Sequence, residues 1–122
     1  MRRQVSGAWF QTWTSATMWN AHQPLALKGG VKADVVAAIA EGRRPEHMAA
    51  DEEAIYTLVE EADRNRSVSD ATYASAVAAV GEKGVIDTLG LVGYYSMLAL
   101  VMNTARTPLP AGASAGLAPF PR

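Results

Sequence analysis

No cysteine occurs anywhere in the 122 residues. Disulfides, thiol redox chemistry, iron–sulfur centres and most structural zinc sites are excluded at once. The same absence fits a cytoplasmic protein, because reducing compartments hold chains without disulfides. Histidine is scarce too, at two residues, His22 and His47, so proton transfer near neutral pH has few places to reside. Neither sign of charge dominates: 11 Lys and Arg against 12 Asp and Glu leave a net −1. That balance offers no long-range attraction to nucleic acid or to an anionic membrane, and neither is expected as a partner. No phosphate loop, dinucleotide-binding turn, HExxH motif, nucleophile elbow or internal repeat is found. The opening MRRQVSGAWFQTW carries basic residues but no apolar core or small-residue cleavage site, which argues against a signal peptide.

What is present is apolar. At 49% hydrophobic and 19% charged, the composition is that of a globular domain, and the length suits one. A single domain of this size buries only about two-thirds of its extended surface. Apolar area is therefore left in need of cover, and self-association is the simplest source.

Residues 8–28 predict a first helix. At about 100° per residue, Ser15, Met18, Trp19 and His22 share one side, and Trp9, Trp13 and Asn20 another. Pro24 predicts a kink or restart near Gln23, and Gly29 and Gly30 predict the end. Residues 32–42 predict a short helix with Val35, Val36 and Ile39 inward and Gly42 as its stop. After a polar connector, Asp51 predicts the cap of a helix reaching Asn65, with Ile55, Leu58, Val59 and Ala62 on one face. Ser69 predicts the N-cap of a helix over 70–80. The link GEKG then leads to a long apolar helix ending before Pro108. Residues 84–105 could span a membrane by length, but Asp87 interrupts the first turns, so a central buried helix is expected. No segment alternates as a strand would. The fold is predicted all-α, of about five helices: one domain over 1–110, then a Pro/Gly-rich tail over 111–122 lying extended over the surface or a neighbour.

Gly90 and Gly93 on the long helix admit close approach of another helix, with Tyr94, Tyr95 and Met97 adding bulk around that groove. Either tyrosine hydroxyl requires a partner if buried. His22 can act as a general acid or base, or it can be a partly buried imidazole bonded to backbone or a tyrosine. Ser15 lies about 10 Å from His22 by helical rise, too far for a nucleophile–base pair. Arg43 and Arg44 could anchor a carboxylate or pair with Glu46 and Asp51, and Arg64 and Arg66 share that ambiguity. His22 and His47 could share a metal with Asp51, Glu52 and Glu53 as oxygen ligands, but nothing in the spacing requires one, and no metal or cofactor is expected.

Three stretches carry a resemblance. They are the run His22, Ala26, Gly29–Gly30, Ile39, Gly42 and Pro45; the segment RSVSDATY (66–73); and GxxGYYxMxxxxxNxxxxPLP over 90–110. Together they resemble the carboxymuconolactone decarboxylase family, also called alkylhydroperoxidase-D-like, over about residues 19–110. The resemblance implies an all-helical fold assembled as trimers or hexamers, and a further helical segment upstream that the 18 residues before Trp19 match poorly. In the redox branch of that family a CxxC pair precedes the histidine. Here those places fall at Ser15 and Met18, and the upstream glutamate's place falls near Arg3, so thiol peroxidase activity is unsupported by the residues. A cysteine-free branch often keeps a glutamate one turn before the histidine, where this chain has Met18. The resemblance then implies a cofactor-free lyase acting on a small cyclic or aromatic carboxylic acid. His22 would transfer the proton and Tyr94 would offer an oxygen-binding donor. Met18, Trp19, Tyr95 and Arg43 are the expected substrate contacts. The alternative is a catalytically impaired scaffold or small-ligand-binding homologue.

Overall fold

Chain punctuation and apolar spacing set four helices in the computed structural model, which describes residues 16–114 and 116, with side chains from Asn20 onward. They are α1 (Ala16–Lys28), α2 (Ala33–Ala40), α3 (Ala50–Asn65) and α4 (Asp70–Ala105). No strand occurs among the described residues. Gly30 and Gly42, at φ +90° and +74°, stand just past the ends of α1 and α2, as the sequence asks. The part of the first predicted helix before Ala16 lies outside the described residues.

Three details differ from expectation. α1 runs through Pro24 without restarting; the proline removes one hydrogen bond, and the turns on either side keep theirs. The N-cap of α3 is Ala49, not Asp51. The Glu52 carboxylate reaches back to accept the Ala49 N–H at 3.1 Å, and Asp51 accepts from Glu52 N–H one residue on. Acids in this first turn offset the positive end of the helix dipole, so the cap itself needs no polar side chain. Finally, the expected GEKG link is a single-residue break. Gly81 alone leaves the helical region, at φ +74° and ψ +166°, a conformation that essentially only glycine adopts, and hydrogen bonding continues on both sides. The two helices expected over 70–105 therefore meet at a kink where the link was expected, and only the length of the break, one residue and not four, differs. Ser69 caps α4 as expected, accepting Thr72 N–H at 3.3 Å.

One apolar cluster joins the helices. Val35, Val36 and Ile39 of α2 meet Ile55, Tyr56, Leu58 and Val59 of α3 and Ala76, Val85 and Ala99 of α4. α3 packs along α4, and α1 packs on α2. Ile55, Tyr56 and Leu58 are wholly buried, each stabilising the fold by roughly 1.5–3 kcal/mol over its exposed state.

The expectation of a central buried helix is corrected. The second half of α4 is covered on one face only, where Val85, Thr88 and Ala99 are buried. On the other, Ile86, Tyr94, Met97, Leu100 and Val101 are each more than half exposed. A helix apolar on all sides is normally surrounded, whereas the described residues leave this face of α4 uncovered. α4 is also long and apolar enough to cross a membrane by length and composition.

After α4, Arg106 adopts the left-handed conformation at φ 55° and ends the helix two residues before Pro108. A turn at Ala111–Gly112, closed by Ala113 N–H to Pro110 C=O at 3.0 Å, returns the chain so that Ser114 and Gly116 lie beside α1 and α2.

Candidate functional site

His22 projects from the middle of α1 and is half-buried. Its imidazole meets the ring of Tyr95 on α4 edge-on, centroids 5.1 Å apart and planes at 83°. Tyr95 in turn meets Tyr94, at 5.3 Å and 76°. The spacing of α4 explains the arrangement. Tyr95 follows Thr88 by seven residues and so lies on the covered face, while Tyr94, one position earlier, points 54% exposed toward the bare one. Three aromatic rings thus run from α1 across α4 to its open apolar face.

This brings together three of the residues the sequence singles out: His22, Tyr94 and Tyr95. Met18 and Trp19 belong to the backbone of α1, but their side chains lie outside the described residues, as do Ser15 and Arg3 altogether. Arg43 sits just beyond α2, and its guanidinium pairs with Glu41 at 2.7 Å. Arg44 is built into the fold instead. It donates to Thr57 Oγ1 at 2.9 Å and to Glu60 at 3.2 Å, approaches Glu53 at 3.5 Å, and lies over the Tyr56 ring with its central carbon 5.0 Å from the centroid. Arg44 thereby fastens the 43–49 connector to α3. Arg64 pairs with Glu60, and Arg66 with Asp63.

His47 is exposed and within 2.9 Å of Asp34, whose carboxylate that bond holds below its ordinary range. The Glu61 carboxyl is likewise lowered, by hydrogen bonds from Thr72 and from the Ser69 N–H at the start of α4. Among the described residues no group of three or more His, Asp and Glu could hold a metal ion. The buried Thr88 hydroxyl donates to the Gly84 carbonyl at 2.7 Å, a bond internal to α4.

A cleft of about 380 Å³ lies on a different side of α1, between it, α2 and the returning tail, with Asn20, Gln23 and Ser114 on its wall. Sequence reading placed Asn20 on a separate face of α1 but did not connect it with Gln23 one turn on. The signal that could have done so is two carboxamides spaced i, i+3. A second cleft of about 370 Å³ lies between α3 and the first turns of α4, lined by Ala50, Ala54, Ala71, Thr72 and Ser75 among others.

Compared with known protein families, curated proteins and solved structures, the chain matches none. The resemblance named above therefore rests on its motifs.

Proposed function

We propose that this chain is a carboxymuconolactone decarboxylase-like lyase, free of cofactor, in which His22 transfers a proton on a small cyclic or aromatic carboxylic acid. The observation that carries the reading is the contact of His22 with Tyr95 and, through it, Tyr94. These rings give an aromatic body a surface to stack on, with a proton carrier and a phenolic donor in the same row. In the reaction, the bond from ring carbon to carboxylate breaks and CO₂ leaves. The electron pair passes into the unsaturated lactone as a dienolate, and imidazolium His22 delivers the proton to carbon. The Tyr94 hydroxyl donates to the developing enolate oxygen. Its place on the bare face of α4 suits a site that a second copy closes, so the working form is a homo-oligomer, a trimer or hexamer by the family resemblance.

A second reading, an impaired scaffold that retains small-ligand binding, is favoured by Arg43, which is engaged with Glu41 at 2.7 Å. CO₂ release from carboxylated unsaturated lactones separates the two. The lyase reading expects release by the wild type and a loss of at least about a hundredfold in His22→Ala, the scale of a general acid. Equal rates would remove His22 from the mechanism, and no release at all would leave the scaffold reading.

A further inference from the structure

We infer that the cleft between α1 and α2 is a binding site for a small neutral cyclic amide, a lactam or a nucleobase-like ring, separate from the His22 group. Three observations converge. On one wall, Asn20 and Gln23 stand one turn apart, each carboxamide offering both a donor and an acceptor. Pro24, next in the chain, has no N–H to give the Asn20 carbonyl four residues back. The residue that already lines the cleft thus also carries a main-chain acceptor lacking its helical donor. The facing wall, from α2, is apolar and low: Val36, Ala37 and Ala40 stand there, and Leu27 closes one end. Ser114 adds a hydroxyl from the tail.

Polar groups on one side and a flat apolar wall on the other select a planar ring with a hydrogen-bonding edge. The volume, about 380 Å³, falls at the small end of ligand sites, which run about 300–1,000 Å³. None of the described residues lining the cleft is ionisable, so a carboxylate would lose its hydration there without a counter-charge from them. A cis-amide edge, one N–H beside one C=O, is the complement of a carboxamide. This chemistry is the opposite of the acid expected at His22, and the two sites are told apart by it.

The test is titration of the full-length, ¹⁵N-labelled chain, read at the side-chain amide signals of Asn20 and Gln23. The probes are 2-pyridone, N-methyl-2-pyridone, which lacks the donor, and benzoate. Saturable shifts are expected with 2-pyridone, binding at least about fivefold weaker with the N-methyl analogue, and no saturation with benzoate. Ala37→Leu fills the cleft from an exposed helical position and should abolish binding, Gln23→Ala should weaken it about fivefold, and His22→Ala should leave it unchanged. Circular dichroism checks that each variant keeps its helix. Saturation by benzoate at the level of 2-pyridone, absence of saturation with every probe, or unaltered binding in both Ala37→Leu and Gln23→Ala would each overturn the proposal.

Discussion

The imidazole of His22 stands edge-on to the ring of Tyr95, 5.1 Å away, and so ties α1 to α4. An edge-to-face pair of this kind contributes about 0.5–1.5 kcal/mol beyond the area it buries. A double-mutant cycle in urea with His22→Ala and Tyr95→Ala should return a coupling of that size. A coupling indistinguishable from zero would mean that the two rings touch without supporting each other.

Arg44 offers a second stability test, because one guanidinium serves Thr57, Glu60 and the Tyr56 face together. Exposed ion pairs contribute little individually, but stacking and a forked set of donors raise the sum. Arg44→Ala should cost about 1–2 kcal/mol. Arg44→Lys keeps the charge and loses the planar fork, so it should recover less than half. Full recovery by lysine would show that charge alone matters at this position.

Acid sensitivity follows from two carboxylates. Asp34 is held below its ordinary 3.8 by the bond with His47, and Glu61 below its ordinary 4.5 by Thr72 and Ser69. When the folded value lies below the unfolded one, the unfolded chain binds the proton first, and acidification favours unfolding. Each contribution is present above the ordinary value and is lost as pH falls through the lowered one. Melting temperatures measured from pH 6 to pH 3 should therefore fall less steeply in the Asp34→Asn, Glu61→Gln double variant than in wild type. Both groups lie at the surface, so the effect should also shrink in high salt.

At Gly81 the break in α4 depends on backbone freedom alone. A methyl group there would meet nothing within 4 Å, yet the φ of +74° is one that side chains strain. Gly81→Ala should lower stability by about 1–3 kcal/mol, measured by thermal melting, with no compensating loss of packing. An unchanged or higher midpoint would mean that α4 straightens readily and that the bend is not fixed by the fold.

The extent to which the fold is legible in the sequence follows the range of each signal. Ser69, Gly42 and the inward set Val35, Val36 and Ile39 act within a turn or two of chain, and each stands where its spacing predicts. Tyr56 escaped the apolar stripe assigned to α3, although it is wholly buried. It lies three residues before Val59 and is buried in the same apolar cluster, with Arg44 over its ring, so the inward stripe of α3 is wider than the one predicted. His22, Tyr94 and Tyr95 stand out in the sequence, but their meeting depends on α1 bringing His22 to the ring of Tyr95 on α4, a long-range fact. Arg43 against Glu41 and Arg44 against Glu60 illustrate the same limit, because several acids lie within reach of either arginine. The apolar content of α4 was read correctly and its location was not: composition shows that a helix needs cover, and not whether its own chain supplies it.

That bare face gives the sharpest test of assembly. Met97 and Leu100, one turn apart, are 53% and 55% exposed, and the glycines at 90 and 93 present no side chain between them and a neighbour. Glutamate at either exposed position should leave the isolated domain folded, since neither is part of its buried core. It should dissolve any assembly built on this face, because an unpaired carboxylate in an apolar contact is costly. Light scattering on wild type should then give a multiple of 12.9 kDa, and Met97→Glu or Leu100→Glu should give the single chain. Gly93→Ala sharpens the distinction. In a single chain, alanine in mid-helix should stabilise by up to about 1 kcal/mol, whereas a closely approaching second copy would be pushed away. Higher thermal stability together with weaker association would identify this stripe as the contact. A wild type that is monomeric in water rules out self-association here. One that stays in solution only with detergent makes the apolar face of α4 a membrane-facing surface.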